Sequence, residues 1–295
     1  LLPPFNIDAW RLDVAPEVGR RGEDQLCKDV WREVRKEMHK VKKDVYLVGE
    51  DWDDTAPYMD GDIWDGTMNY YGSGRPLRSW MGQRDRFLSE GTGHSAGEEE
   101  PWNGEEESEG LMEAMYSVSD QNVFFQMNLF DSHDTPRLHN DKAVFDRDIY
   151  KGVVMALYML PGMPNLYYEV LLNGKLGSNE GARYPMEWRD EYQDKDMLSF
   201  YSKMGEARKE EWLGFSSYSV IPLDEKAFAI LRFIEGKALV SVINRGESRE
   251  VSLPLFLLPS KNIGVVVGDG KVSRESDSLR ILLKDKESLL IRLEN

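Results

Sequence analysis

The sequence is poor in cysteine, in basic residues and in long apolar runs. Cys27 is the single cysteine among 295 residues, so no disulfide can form within the chain, and such usage is typical of a reducing, cytoplasmic compartment. The 37 Lys and Arg residues against 53 Asp and Glu give a formal net charge of −16, which leaves no broad basic surface for nucleic acid or anionic lipid. No apolar run reaches ~18 residues, so no segment is predicted to span a membrane. We therefore expect a cytoplasmic protein with neither nucleic acid nor a membrane as its partner.

The first feature that the sequence does contain is a short, bulky stretch at residues 7–14, which predicts a buried strand. Side chains alternate between the two faces of a strand, so Arg11 and Asp13 are expected side by side on one face. Asp13 falls near the C-terminal end of the strand, where parallel α/β proteins place their chemistry. A structural ion pair between Arg11 and Asp13 explains this segment equally well when it is taken alone.

Two further predicted strands also lead into acidic residues. Residues 45–50 form an apolar run that ends at Glu50, and residues 122–130 form another that is followed closely by Asp134. A helix predicted over 23–41, from the helical spacing of its apolar residues, separates the first two strands. Alternating strands and helices are typical of a parallel sheet with right-handed crossovers, so we expect these strand ends to meet at one edge.

The chain divides into two parts of different character. Residues 1–211 are predicted to be α/β, whereas residues 212–295 consist of short strand-like runs separated by turn residues and predict an antiparallel β-sandwich domain. A glutamate-rich stretch at 91–110 is predicted to be a solvated loop, with a cation site as the alternative. The other elements predicted in the first part are a strand at 63–71, an amphipathic segment at 77–88, a helix at 153–160, a strand at 164–168 and a helix at 197–208.

Three predicted strand ends thus carry the carboxylates of Asp13, Glu50 and Asp134. Converging carboxylates are the groups that hydrolyse glycosidic bonds, because one attacks the anomeric carbon while another donates and takes back a proton. A third can stabilise the oxocarbenium-like transition state. Each residue has a simpler explanation alone, namely an ion pair for Asp13, the entry to a loop for Glu50 and a helix cap for Asp134. Their joint occurrence at strand ends favours the catalytic interpretation.

Three short motifs around these carboxylates resemble signature regions of a known enzyme family. They are Trp-Arg-Leu-Asp-Val-Ala at 10–15, Val-Gly-Glu at 48–50 and Ser-His-Asp at 132–134. In order and separation they resemble the α-amylase family, glycoside hydrolase family 13, and within it the group of neopullulanases, cyclomaltodextrinases and maltogenic amylases. Other parts of the chain resemble the same family, namely Asp65, Met68, Asn69, Tyr70, Tyr167, Tyr168, the Met-Glu-Trp motif at 186–188 and the C-terminal sandwich.

The resemblance implies a role for each of seven residues. Asp13 would be the nucleophile, Glu50 the general acid and base, and Asp134 the carboxylate that stabilises the transition state. Four others match family positions that bind the substrate or support the nucleophile: Arg11 beside the nucleophile, His133 as a sugar-binding histidine, and Glu17 and Trp52 on the acceptor side.

The resemblance also implies a fold, the C-terminal part of a (β/α)8 TIM barrel, comprising about strands 4–8, followed by the β-sandwich. The family's first signature region, with an Asp and a His near the third strand, is absent from this sequence, so we expect an N-terminal barrel segment outside it. Two smaller departures are Pro16, where the subgroup usually has Asn, and Glu169, which follows Tyr168 where the family continues Gly-Asp-Glu.

On this basis we expect a retaining glycoside hydrolase that cleaves α-1,4 links in maltooligosaccharides, cyclodextrins or pullulan, with some transglycosylation. One alternative is a catalytically silent amylase-like protein that binds or scaffolds partners. Another is an α-1,6-glucosidase or a glucan-rearranging enzyme on the same barrel. The resemblance requires no cofactor and no catalytic metal. It leaves open a structural calcium, with no ligand identified, and homo-oligomerisation.

Overall fold

The structure is a computed structural model that describes residues 5–83, 100–135, 137–140, 145–168, 183, 185–256 and 258–295. Over these residues the chain forms a parallel five-stranded sheet with its helices, a short two-stranded antiparallel sheet at residues 20–25, and then two larger antiparallel sheets. Every helix in these ranges is too short or too polar to cross a lipid bilayer.

The described residues contain fifteen strands and six α-helices. The strands are β1 (Ala9–Leu12), β2 (Arg20–Arg21), β3 (Asp24–Gln25), β4 (Tyr46–Asp51), β5 (Gly66–Asn69), β6 (Met127–Asn128), β7 (Met163–Pro164), β8 (Ser217–Asp224), β9 (Ala227–Ile234), β10 (Lys237–Asn244), β11 (Arg249–Pro254), β12 (Asn262–Val267), β13 (Lys271–Glu275), β14 (Ser278–Leu283) and β15 (Leu289–Glu294). The α-helices are α1 (Cys27–Val41), α2 (Arg75–Trp80), α3 (Gly104–Tyr116), α4 (Asp120–Val123), α5 (Arg147–Met159) and α6 (Lys195–Arg208).

The parallel sheet has the strand order β1-β4-β5-β6-β7, and every neighbouring pair is parallel. Its register decides where the predicted carboxylates lie. Leu12 pairs with Gly49, so the residues that follow them, Asp13 and Glu50, leave adjacent strands at the same level. The parallel arrangement predicted from the alternation of strands and helices is therefore confirmed, and the carboxyl ends of β1 and β4 lie side by side.

Helix α1 packs on the segment that follows β1. Its buried face includes Cys27 and Trp31, and the indole Nε1 of Trp31 donates a hydrogen bond of 2.7 Å to the backbone carbonyl of Ala15. The Trp31 ring also meets Trp64 edge to face, with ring centroids 6.4 Å apart. These contacts fix the backbone two residues after Asp13, because a buried amphipathic helix is anchored by its apolar face.

The glutamate-rich stretch at 91–110 was predicted to be a loop, and this is wrong for its second part. Residues 84–99 lie outside the described residues, but α3 begins at Gly104. Asn103 and Glu106 form a capping box, in which each side chain accepts a hydrogen bond from the backbone of the other. Acidic residues in the first turn also favour a helix, because its N-terminus carries a partial positive charge.

Several predicted strands are shorter or more exposed than expected. The strand predicted at 122–130 is helical at α4 and has only two strand residues in β6, and the strand predicted at 164–168 is reduced to β7. The first strand was expected to be buried, but β1 is an edge strand and Trp10 is 40% exposed. Burial on both faces belongs to central strands such as β4, whereas an edge has a neighbour on one side alone.

Two antiparallel sheets follow α6, with the orders β12-β15-β10-β9-β8 and β11-β14-β13. They enclose an apolar core that contains Val240, Leu253 and Ile281, as a β-sandwich does. Phe228 and Ile243 face the other way and pack into the large core beneath α3 and α5. The sandwich and the α/β part therefore share buried surface.

Candidate active site

Arg11 brings two of the predicted catalytic carboxylates together. It lies on β1, and its guanidinium forms an ion pair with Asp13 and a second one, of 2.9 Å, between Nη2 and Oε2 of Glu50. The two acids lie at the ends of adjacent parallel strands and share this one cation. The arrangement keeps two like charges close together, because the fixed positive charge offsets their repulsion.

The two carboxylates lie in different environments. The side chain of Glu50 is 6% exposed, whereas that of Asp13 is 75% exposed. Both oxygens of Glu50 accept hydrogen bonds, Oε2 from the backbone N–H of Val14 at 2.7 Å and Oε1 from the indole of Trp52 at 3.1 Å. Glu50 is thus held in one orientation, while Asp13 is open to a molecule that approaches from solvent.

The chain turns sharply directly after Asp13. Val14 has a positive φ of 43°, in the left-handed region that a β-branched residue rarely adopts. This conformation coincides with the hydrogen bond from its backbone N–H to Glu50. Strained backbone at such a position is typical of functional sites, where the surrounding structure maintains it.

A stacked aromatic pair connects Glu50 to the third predicted strand end. The ring of Trp52 lies 3.6 Å from that of Tyr70, with 7° between the planes, and the hydroxyl of Tyr70 donates a 2.8 Å hydrogen bond to Oγ of Ser132. Burial raises the pKa of the Tyr70 phenol, and the negative charges of Glu50 and Asp134 raise it further. Tyr70 therefore stays protonated and lies within the electrostatic field of both acids.

Asp134 lies in a loop that follows β6, between a histidine and an arginine. Its Oδ2 is 3.0 Å from Nε2 of His133, and its Oδ1 forms an ion pair with Arg183. Arg183 also donates to the backbone carbonyl of His133 at 2.9 Å. The backbone N–H of Asp134 donates to Ser132 Oγ at 3.0 Å, so the same hydroxyl contacts both Tyr70 and the acid.

Of the two residues expected on the acceptor side, Trp52 contacts the site and Glu17 has another neighbour. Glu17 forms an ion pair with Arg20, at 3.1 Å, and Arg20 in turn donates to the hydroxyl of Tyr58. Glu17 ends a short 3-10 helix that begins at Ala15, and its side chain is exposed. The structure therefore joins Asp13, Glu50, Arg11 and Trp52 in one contact network, to which Glu17 makes no contact among the described residues.

The sequence motifs gave no role to three residues that the structure places in the site. Tyr70 belongs to a segment that resembles the family, and Ser132 belongs to the Ser-His-Asp motif, so a local signal existed for both. Arg183 lay in a loop without a motif, 49 residues from its partner Asp134. Glu169 lies outside the described residues. Among the residues that the structure does describe, no group of three His, Cys, Asp or Glu side chains is arranged to hold a metal ion.

The chain is similar to known proteins along nearly its whole length. Residues 2–213 match the family described as Alpha amylase, catalytic domain. A cyclomaltodextrinase of Thermoanaerobacter pseudethanolicus is 31% identical over 252 residues, which cover 83% of this chain and 38% of the relative. An intracellular maltogenic amylase of Bacillus subtilis strain 168 is 29% identical over 248 residues, which cover 82% and 37%.

Among solved structures, Ttha1563 from Thermus thermophilus superposes with a TM-score of 0.81 and 26% identity, over 98% of this chain and 59% of that one. The chain spans less than half the length of the curated relatives it matches. The family match covers most of the chain, including the segments that carry Arg11, Glu50 and Asp134. This chain belongs to the α-amylase catalytic-domain family.

Proposed function

We propose that this chain carries the catalytic carboxylates of a retaining glycoside hydrolase that cleaves α-1,4 links in maltooligosaccharides, cyclodextrins or pullulan. One observation carries the proposal: Arg11 pairs with both Asp13 and Glu50 at the ends of adjacent parallel strands. A retaining mechanism needs two carboxyl groups close together, ~5–5.5 Å apart, on either side of the scissile bond. Relatives named cyclomaltodextrinase and maltogenic amylase support the substrate class.

The environments of the two acids suggest which catalytic role each of them has. Asp13, which is exposed, would attack the anomeric carbon as nucleophile. Glu50, which is buried and held by two donors, would protonate the leaving oxygen and later deprotonate water. Asp134 would stabilise the positive charge that develops on the sugar ring, and His133 would bind sugar hydroxyls beside it.

On the acceptor side, Trp52 would offer a flat surface to a glucose ring and Glu17 would bind acceptor hydroxyls. Trp52 is already oriented, because its indole is stacked on Tyr70 and bonded to Glu50. Glu17 would need a substrate that extends past the turn after Asp13, since its present partner is Arg20.

We further propose that the five parallel strands are about strands 4–8 of a (β/α)8 barrel, within residues 1–211, and that an N-terminal segment outside this sequence supplies the others. The sheet supports this, because β1 and β7 are both edges within the part of the chain that the structure describes. Residues 212–295 would then form a separate C-terminal domain. The resemblance to an intracellular maltogenic amylase of Bacillus subtilis, together with the single cysteine, favours a cytoplasmic location.

Product analysis tests the proposed activity. The protein as the cell produces it is incubated with maltotriose, pullulan and β-cyclodextrin, and the products and their anomeric configuration are followed by chromatography and NMR. We expect cleavage of α-1,4 links with α-anomers released first, since double displacement retains configuration. Release of β-anomers would contradict the retaining mechanism. Cleavage of α-1,6 links alone would favour an α-1,6-glucosidase, and no cleavage of any substrate would favour a binding or scaffolding protein.

A further inference from the structure

The loop that carries His133 and Asp134 is closed at its base by a buried carboxylate. Asp131 follows β6 by three residues, and its Oδ1 accepts a 2.9 Å hydrogen bond from the backbone N–H of Leu138. Leu138 begins a short 3-10 helix, so Asp131 satisfies a donor that the helix itself leaves free. One oxygen atom thus joins the two ends of the segment between residues 131 and 138.

Arg78, on α2, binds the same carboxylate and the backbone beside it. Its Nη2 donates to Oδ1 of Asp131 at 2.6 Å, and its Nε donates to the carbonyl of Phe130 at 2.7 Å. A further donor, Nη1, reaches the side-chain oxygen of Gln83. The planar guanidinium therefore contacts two consecutive residues of the chain and a third residue from beyond α2 through three different nitrogens in a fixed fork, a geometry that the single nitrogen of an ammonium group lacks.

This ion pair is buried on both sides, with side-chain exposures of 9% for Arg78 and 1% for Asp131. A buried ion pair contributes little net stability, because both charges lose their hydration, and apolar residues of similar size often stabilise a fold as well. Its distinctive effect is directional, since it holds Phe130, Asp131 and Leu138 in one arrangement. The residues so fixed lie on both sides of His133 and Asp134.

We propose that Arg78 and Asp131 are positioning residues, which hold the loop so that Asp134 faces the pair formed by Asp13 and Glu50. This inference rests on the proposed function, in which Asp134 acts on the transition state. Catalytic groups must keep their geometry to within about 0.5 Å, and a misplacement of about 1 Å can lower the rate about 100-fold. A residue that acts through Asp134 is expected to alter kcat more than KM.

The test compares Arg78→Lys and Asp131→Asn with a matched control, Arg35→Lys. Arg35, on α1, forms a 2.8 Å ion pair with Asp65, and Asp65 also accepts from the backbone N–H of Leu47 near the start of β4. The control is also an Arg–Asp pair whose carboxylate accepts a backbone N–H, but it is less buried, with 19% exposure of both side chains, and it lies at the opposite end of the strands. In the protein as the cell produces it, we expect both Arg78→Lys and Asp131→Asn to lower kcat on maltotriose roughly 10- to 100-fold, and Arg35→Lys to leave it within about twofold.

A double-mutant cycle separates positioning from a general loss of structure. In the background of Asp134→Asn, the further change Arg78→Lys should have little effect on the residual kcat, because the residue through which it acts is already gone. An equal fold-loss in both backgrounds would overturn the proposal. So would an unchanged kcat per folded molecule in both Arg78→Lys and Asp131→Asn.

Amide hydrogen exchange gives a readout that does not depend on activity. The N–H groups of Ser132, Asp134 and Leu138 all donate within this loop, and we expect them to exchange roughly tenfold faster or more in Arg78→Lys and in Asp131→Asn than in the parent and in Arg35→Lys. Unchanged exchange would refute the proposal that Arg78 and Asp131 hold this loop, whatever the enzyme's activity. A different outcome is that the parent protein hydrolyses no α-glucan while the variants still exchange faster. That result would mean that Arg78 and Asp131 do hold the loop and that the proposed function is wrong.

Discussion

At the scale of single residues, two neighbouring acids of the same strand are equally buried but differ in whether a cation offsets their charge. Glu50 and Asp51 follow one another on β4, so their side chains point to opposite faces of the sheet. Glu50 meets Arg11, Val14 and Trp52, whereas Asp51 is buried and its Oδ1 accepts from the backbone N–H of Asp53 at 3.1 Å. Arg11 therefore offsets the negative charge of Glu50, whereas no ion pair among the described residues offsets a charge on Asp51.

Removing either proposed catalytic carboxylate by an isosteric amide should abolish turnover. We expect Asp13→Asn and Glu50→Gln each to lower kcat by a factor of at least about 10³, since an amide is neither a nucleophile nor an acid. Folding and binding of maltooligosaccharides should persist, and they are measured by circular dichroism and calorimetry. A control is Glu33→Gln, on the exposed face of α1, which should leave kcat unchanged. Near-normal activity in either site variant would refute its assigned role.

Asp51 should make the protein less stable as the pH rises. Burial raises the pKa of Asp51 to about 6, above the value of about 4 that an unfolded chain gives an aspartate. Between about pH 4 and pH 6 the folded protein therefore holds a proton that the unfolded chain has released, so the free energy of unfolding falls as the pH rises, by up to about 3 kcal/mol in total.

Asp51→Asn should remove the contribution of Asp51 to this pH dependence, because the amide keeps the acceptor for Asp53 and cannot ionise. Urea unfolding should show a gain in stability that widens from about pH 4 to about pH 7, where it approaches about 3 kcal/mol. Asp60→Asn, at an exposed position, serves as the control and should change the curve by less than about 0.5 kcal/mol. A constant difference between parent and Asp51→Asn at all pH values would contradict the argument.

At the scale of elements, α3 combines a polar sequence with a buried position. Its capping box and acidic first turn stabilise the helix locally, while Leu111 and Met115 pack into the large apolar core. Glu107 lies among these buried positions, and neither of its side-chain oxygens has a hydrogen-bond partner among the described residues. Arg245, from the β-sandwich part of the chain, is the nearby positive charge that acts on it.

Glu107→Gln should flatten the pH dependence of stability. Burial raises the pKa of Glu107 well above its ordinary value, although Arg245 acts in the opposite sense. Above about pH 4.3 the unfolded chain releases this proton while the folded protein keeps it, so stability should fall by about 1.4 kcal/mol per pH unit until the raised pKa is reached. Chemical unfolding between about pH 5 and about pH 8 measures the slope. Glu109→Gln, at an exposed position on the same helix, should leave the slope unchanged, and a parent-like slope in Glu107→Gln would contradict this account.

At the scale of the whole molecule, the parallel sheet formed by the described residues ends on both sides in an edge. Apolar side chains are exposed along both, with Trp10 on β1 and Met163 on β7. Exposed edges with apolar side chains are sites of strand pairing between molecules, whereas a closed barrel has none. The proposed N-terminal barrel segment would cover both edges.

A polypeptide of these 295 residues alone should therefore self-associate. Light scattering after size exclusion should show a mass that increases with concentration above the monomer's 34.0 kDa. Trp10→Lys should reduce the association, because a charge on an edge strand opposes pairing, whereas Tyr116→Lys, exposed at the end of α3, should not. A monomer at every concentration, with cooperative unfolding and full activity, would show that the edges need no complementary segment.

The sequence by itself determined which acids follow the strand ends and that strands and helices alternate in the first part of the chain. Local patterns were enough to find strand ends at Asp13 and Glu50, the second half of α5 and most strands of the sandwich, because side-chain periodicity reports burial within a few residues. The same reasoning failed for α3 and for residues 122–130. A solvated glutamate run and the first turn of a capped helix have the same composition, and a two-residue strand has no period.

The tertiary structure alone decided which distant residues meet. Three contacts of the site join residues between 18 and 53 positions apart in the sequence. They are the stack of Trp52 on Tyr70, the ion pair of Arg183 with Asp134 and the ion pair of Arg78 with Asp131. Such contacts depend on strand register and on helix packing, which follow from the free energy of the whole core and leave no mark in the local spacing of residue types. The acids are therefore visible in the sequence, and their arrangement is a property of the fold.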